Sequence, residues 1–155
     1  MKDILLKVRG LKKMYHNVQG ETLAIKDVSF DVKKAEILSI VGPSGCGKST
    51  ILSILTNLEE KSDGEITFLG NENIGYMLQN DSLFPWLTIL DNCLIGLEIN
   101  GTKNDANVKR VRKLLEKYGL LEFIDKYPDS LSGGMRQRVA LIRTLATNPS
   151  LLLLD

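Results

Sequence analysis

An α/β fold is predicted by three observations on this 155-residue sequence. A short apolar run, Glu36 to Val41, leads into a stretch rich in Gly and Ser, and apolar residues at helical spacing follow at Ile51, Leu52, Ile54, Leu55 and Leu58. Later segments lengthen and adopt the 3.6-residue period of amphipathic helices. The chain then returns to a strand-sized apolar run, Leu151 to Leu154, which ends in a carboxylate, Asp155.

The first segment, Ile4 to Tyr15, separates its apolar residues with basic ones, and Val28 to Val32 alternates strictly, so both are read as strands. Glu36 to Val41 is expected to be a buried strand feeding a special loop, because it is apolar and stops at a Gly, Pro and Ser cluster. Ser49 to Leu58 follows as a helix, and Gly64 to Gly70 and Ile74 to Leu78 as two more short strands. From Thr88 a helical insert is expected, with Ile89, Leu90, Cys93, Leu94 and Leu97 on one stripe and Val108, Val111, Leu114, Leu115 and Tyr118 on another. Asn100 to Asp105 is the polar break between them, and Gly119 and Pro128 punctuate the far side. A further helix runs from Gly133 to Ala146, before Asn148, Pro149 and the strand ending at Asp155. There is no internal repeat and no low-complexity segment.

Composition narrows the class. With 43% hydrophobic and 25% charged residues, neither disorder nor a membrane-embedded fold is indicated. Twenty basic against nineteen acidic side chains leave a net charge of +1, which provides no electrostatic footprint for nucleic acid, so no nucleic-acid partner is expected. No apolar stretch approaches the roughly 20 residues that cross a bilayer. Lys2, Asp3, Lys7, Arg9, Lys12 and Lys13 interrupt the N-terminal apolar residues, so a secretory signal is not expected and a cytoplasmic location is. Cys46 and Cys93 lie in dissimilar contexts and suit reduced thiols better than a disulfide.

Gly42-Pro43-Ser44-Gly45-Cys46-Gly47-Lys48-Ser49-Thr50 matches the phosphate-binding loop pattern in full, between an expected strand and an expected helix. Its glycines allow successive backbone N–H groups to converge on phosphate oxygens, and the following helix adds its positive end. Lys48 is then placed to reach the β- and γ-phosphates, and the Ser49 hydroxyl to ligand Mg²⁺. Asp155, at the C-terminal end of its strand, is expected to accept Mg²⁺ or its bound water beside that loop. In Leu131-Ser132-Gly133-Gly134-Met135-Arg136-Gln137-Arg138, a hydroxyl and two glycines open a strong helix. On physical grounds Ser132 serves equally well as a simple N-cap or as part of an anion site.

The segment Leu131 to Gln137 resembles the signature motif of ATP-binding cassette proteins, in the order expected after the phosphate loop and before Asp155. The resemblance covers essentially the whole chain. It implies a P-loop NTPase core sheet with an N-terminal antiparallel β subdomain and an inserted α-helical signature subdomain, incomplete at the C-terminus. The implied layout is one partial ATPase domain over 1–155, with a nucleotide-binding core at 1–87, the helical subdomain at 88–147 and a returning strand at 148–155. Two such cassettes pair head to tail in this family, so Ser132, Gly133, Gly134 and Gln137 would bind ATP held by a partner cassette. By the same resemblance Tyr15 is a candidate to stack on adenine, with a plain packing role as the alternative. Gln79 is the candidate glutamine that senses Mg²⁺ and the attacking water; an ordinary loop residue is the alternative. The connection Gly70-Asn71-Glu72-Asn73 is shorter than the family norm.

Leu83-Phe84-Pro85-Trp86-Leu87-Thr88 with Asn92 resembles the importer branch that handles nitrate, sulfonates, taurine and related compounds. Trp86 is expected either to line a groove for a partner's coupling helix or to anchor the insert as a buried ring. The resemblance implies membrane-spanning permease subunits, an extracytoplasmic solute-binding protein and a peripheral site on the cytoplasmic face of the membrane. It also implies a glutamate after Asp155 and a later switch histidine, positions this chain does not contain. His16, beside Tyr15, precedes every motif and is read as a surface or loop residue. A C-terminally truncated product with weak stability and little hydrolysis alone is therefore expected. A soluble cassette acting outside transport, or a nucleotide-binding module without turnover, are the competing functions.

Overall fold

The computed structural model describes residues 3–18, 20–70 and 73–155, so Lys2 of the basic N-terminus and Asn71 and Glu72 of the short connection lie outside the described residues. The chain divides into two compact units, residues 1–72 with Asp155 and residues 73–154.

The first unit is built on an antiparallel sheet. Strand β1 (Ile4–Asn17) pairs on one side with β2 (Gly20–Lys33) and on the other with β3 (Asp63–Phe68), giving the order β2-β1-β3. The central strand carries the most buried residues, with Leu6, Val8 and Leu11 fully enclosed. Ile25 and Val32 of β2 and Ile51, Ile54 and Leu55 of helix α1 (Lys48–Leu55) complete this interior. Two of the basic residues between them turn outward into ion pairs, Arg9 meeting Asp31 at 2.6 Å and Lys12 meeting Asp63 at 2.9 Å, whereas Lys13 is buried. The Lys12 hydrogen bond holds the Asp63 carboxyl below its ordinary range.

Two expectations for this unit need correction. Helix α1 ends at Leu55, not Leu58, because Thr56 caps it and Asn57 takes a left-handed conformation (φ 57°) that cannot continue the helix, leaving Leu58 exposed. The run Glu36 to Val41 is not a buried strand. It joins no ladder among the described residues, and Ile37 and Val41 are 96% and 91% exposed. Apolar β-branched residues fit a strand only where a neighbouring backbone satisfies their N–H and C=O groups, and the parallel ladder of this chain is made by other segments.

The second unit holds that ladder. Strands β4 (Ile74–Met77) and β5 (Leu151–Leu154) run parallel, in register from Ile74 opposite Leu151 to Met77 opposite Leu154. Between them lie α2 (Ile89–Ile99), α3 (Asp105–Lys117) and α4 (Gly133–Ala146), the last with the limits read from sequence. Each has an N-cap with its own side-chain acceptor: Thr88 for the N–H of Asp91, Asn104 for that of Asn107, and Ser132 for that of Met135. α4 packs against both α2 and α3, and Ile89, Cys93, Leu94, Leu97, Val111, Leu115, Leu120, Val139 and Ile142 form one continuous core. Burial pushes the Cys93 thiol up to about 12, so it sits in that core as a neutral apolar group.

Candidate functional site

The phosphate loop leaves the extended segment at Gly42 and enters α1 at Lys48. Gly47 is the N-cap of that helix in a left-handed conformation (φ 94°), and a Cβ there would lie 2.6 Å from the carbonyl oxygen of Ala24. A Cβ on Gly42 would lie 2.7 Å from the Cys46 sulfur, a contact that a turn of that exposed side chain relieves, whereas at Gly47 both the backbone contact and the backbone angle require glycine. No side chain caps α1 and its first turn carries no acidic residue. Its leading N–H groups therefore form an electropositive end free of a competing carboxylate within that turn.

Lys48 folds back over the loop, donating from Nζ to the carbonyl oxygens of Gly42 at 2.9 Å and Pro43 at 2.7 Å, with the Cys46 sulfur at 3.7 Å. Next to it, Ser49 Oγ donates to Asp155 Oδ1 at 2.8 Å, across 106 residues of sequence. Pro43, Ser44 and Gly45 complete the loop, with Gly45 also left-handed (φ 77°), and Thr50 follows Ser49 in the first turn of α1.

A hydroxyl and a carboxylate form a hard-oxygen donor pair. Two adjacent ligands of an octahedral Mg²⁺ at about 2.1 Å stand about 3.0 Å apart, so this separation fits the ion. Among the described residues no cluster of three or more His, Cys, Asp or Glu side chains is placed to hold a metal. Mg²⁺ at this pair would take its remaining ligands from phosphate oxygens and water, its usual habit.

Tyr15 lies in β1 opposite Thr22. The Lys13 ammonium stands 4.7 Å from its ring centroid and is held there by Glu59 Oε2 at 3.0 Å and the Glu60 carbonyl at 2.6 Å. One face of the ring is thereby taken by a cation. His16 is exposed and meets Glu21 at 3.1 Å, consistent with a surface residue.

In the second unit Gln79 follows β4 by two residues, and Gln137 Nε2 donates to its carbonyl oxygen at 3.1 Å. Ser132, Gly133 and Gly134 open α4, and Ser132 Oγ accepts from Met135 N at 3.4 Å, so its N-cap reading is realised.

The sequence model of the family described as "ABC transporter" matches residues 25–155. This chain belongs to the ABC transporter family. It is 48% identical over 156 residues to the uncharacterized ABC transporter ATP-binding protein YtlC of Bacillus subtilis, covering 97% of this chain and 60% of the relative. It is 40% identical to the taurine import ATP-binding protein TauB of Rhizobium johnstonii, again over 97% of this chain and 60% of the relative. The chain thus spans about 60% of the length of these two curated relatives. The dimeric structure of the cassette MJ0796, in a post-hydrolysis state bound to ADP and Pi, superposes with a TM-score of 0.80 at 30% identity, covering 97% of this chain and 73% of that one. ABC import proteins named for spermidine and putrescine, sulfate, iron and maltose match at 36–38% identity, so the likeness is not particular to the taurine group.

Three features of this ABC cassette are not evident in the sequence. Asn92 is fully buried, where it donates from Nδ2 to the carbonyls of Phe84, Leu87 and Thr88 and accepts the N–H of Phe84 at 2.8 Å. It organises the loop whose Trp86 is 70% exposed, tilted against Phe84 at 5.4 Å, which corrects the buried-ring reading of Trp86. The third feature is the set of bonds that Arg136 and Arg143 make to Asp81 and its neighbour Ser82. Its one sequence signal is a pair of arginines seven residues apart, two turns along one face of α4.

Proposed function

We propose that this chain is the nucleotide-binding part of an ATP-hydrolysing subunit that energises an ABC importer for a small solute of the nitrate, sulfonate or taurine kind. The observation that carries the reading is the hydrogen bond between Ser49 and Asp155, which joins the start of α1 to the carboxylate after β5 directly beside the phosphate loop. Loop N–H groups and the first turn of α1 would cradle the phosphates, and Lys48 would exchange its bonds to Gly42 and Pro43 for phosphate oxygens. Bound Mg²⁺ would neutralise developing charge on the phosphate oxygens. Ser49 and Asp155 would hold that ion, Gln79 would orient the water, and Tyr15 would offer the ring face away from Lys13 to adenine.

In the same reading Ser132, Gly133, Gly134 and Gln137 present the N-terminus of α4 to ATP on a second cassette. The domain layout is a core at 1–87, a helical subdomain at 88–147 and a returning strand at 148–155. Dimeric MJ0796 supports the pairing, and the import proteins among the relatives support permease subunits and an extracytoplasmic solute-binding protein as partners at the cytoplasmic face of a membrane. No helix among the described residues is long and apolar enough to cross a membrane. The test is phosphate release from the full-length protein, with Lys48→Ala as control. Steady Mg²⁺-dependent release that the substitution abolishes is expected, and equal release from both proteins would reject the reading.

A further inference from the structure

The loop after β4 is held from one side by a single helix. Gln137 Nε2 donates to the carbonyl of Gln79, Arg136 Nε meets Asp81 Oδ2 at 3.0 Å, and Arg143 donates from its two terminal nitrogens to the carbonyls of Asp81 and Ser82, each at 2.8 Å. All three side chains come from α4. The loop is not relaxed: Ser82 is left-handed (φ 46°), a conformation a residue with a Cβ adopts only when its surroundings over-determine it. Asp81 adds the local tie, accepting the N–H of Leu83 at 3.2 Å with its other carboxylate oxygen.

Arg143 bears the main cost of this arrangement. It is a partly buried cation whose charge is disfavoured by burial, and it directs its planar fork at two successive backbone carbonyls. A residue required only to fill the space between α4 and the loop would be apolar, as Val139 and Ile142 are on the same helix. Backbone carbonyls held at two adjacent peptides fix the direction in which the chain leaves β4, and hence where Gln79 stands.

We propose that Arg143, supported by Arg136, is a positioning residue for Gln79: it sets the backbone of the 79–82 loop so that the glutamine acts in turnover. The inference rests on the reading that Gln79 takes part in ATP hydrolysis. The same helix that opens with Ser132 to Gly134 thereby holds the loop of Gln79 along its length, through Arg136 and Gln137 near its start and Arg143 near its end.

The test uses the full-length protein and compares wild type, Gln79→Ala, Arg143→Met, Arg143→Lys and the double variant Gln79→Ala/Arg143→Met. Arg143→Met is expected to lower kcat by about tenfold or more while the Kd for ATP stays within about twofold, because a misplaced group costs rate rather than ground-state binding. Arg143→Lys keeps the charge but cannot span both carbonyls, and it should recover part of the rate. In the Gln79→Ala background Arg143→Met should cost less than about twofold more, since a residue acting through Gln79 has nothing left to position. Multiplicative losses in the double variant, or an unchanged kcat with only a lower melting temperature, would overturn the proposal. If Arg143→Met does not fold, Arg143→Gln, which keeps a donor for one of the two carbonyls but not both, takes its place, and the same non-additivity with Gln79→Ala is required of it. Failure of the underlying reading is seen separately: a wild type without turnover, or one indifferent to Gln79→Ala, removes the role of Gln79 and the inference with it.

Discussion

Ser49 Oγ donates to Asp155 Oδ1 at 2.8 Å, so the first turn of the helix after the phosphate loop and the carboxylate that follows the last leucine are hydrogen-bonded neighbours. The pair has the separation and the hard-oxygen chemistry of two adjacent Mg²⁺ ligands. Ser49→Ala and Asp155→Asn should each reduce the Mg²⁺-dependent gain in ATP affinity by at least about tenfold, with binding in EDTA little changed, whereas Ser49→Thr keeps the hydroxyl and the gain. Calorimetric titration of the full-length protein with and without Mg²⁺ measures this; a gain that survives both substitutions would remove the pair from the metal site.

The two cysteines should differ sharply toward alkylation. Cys46 is exposed in the loop with its sulfur 3.7 Å from the Lys48 ammonium, whereas Cys93 is buried in the helical core. Native protein treated with N-ethylmaleimide should be modified at Cys46 and not at Cys93, and bound ATP should protect Cys46, because the adduct and the phosphates compete for one space. Mass spectrometry reads both sites. Equal labelling of Cys46 with and without ATP would place the nucleotide elsewhere.

Cys93 also predicts a stability loss at high pH. Its folded-state value of about 12 lies above the ordinary 9.0, so the folded chain keeps a proton that the unfolded chain releases. The contribution is complete below pH 9 and is lost as pH rises from 9 toward 12, at about 1.4 kcal/mol per pH unit. Cys93→Ala should flatten that part of the curve in urea unfolding followed between about pH 8 and 11. An unchanged slope in the variant would show that the thiol does not titrate on unfolding.

Asn92 anchors the loop that displays Trp86. Asn92→Ala leaves the N–H of Phe84 and the carbonyls around it short of their partner in a buried place, which should cost about 2–4 kcal/mol. Trp86 is the one tryptophan in the chain, so its fluorescence reports on the same loop. Chemical unfolding followed by tryptophan emission and circular dichroism should show the loss with both probes. A change below about 0.5 kcal/mol would mean that the loop holds its form without the asparagine.

Features written in adjacent residues are legible in the sequence. The spacing from Gly42 to Thr50 specifies a phosphate loop because glycines at fixed offsets permit the backbone angles, seen at Gly45 and Gly47. The limits of α4 follow from Ser132 as a cap, a run of helix formers and the Asn148-Pro149 stop. The family resemblance is likewise first read from Leu131 to Gln137 together with the loop, whereas the family model matches residues 25–155. Pairing and exposure are not local. Nothing in Glu36 to Val41 distinguishes it from a strand except the partner it does not find among the described residues, and nothing in Trp86 tells whether its ring is covered. Arg143 reads as one more surface cation on a helix, and only the folded chain shows that it directs its donors to two carbonyls about sixty residues away. The sequence alone determined which segments could bind phosphate and coil into helices, because those properties depend on neighbours a few residues apart. The tertiary structure decided that Ser49 meets Asp155 and that α4 holds the loop of Gln79, because a hydrogen bond between distant residues exists only once the backbone has brought its two ends within about 3 Å.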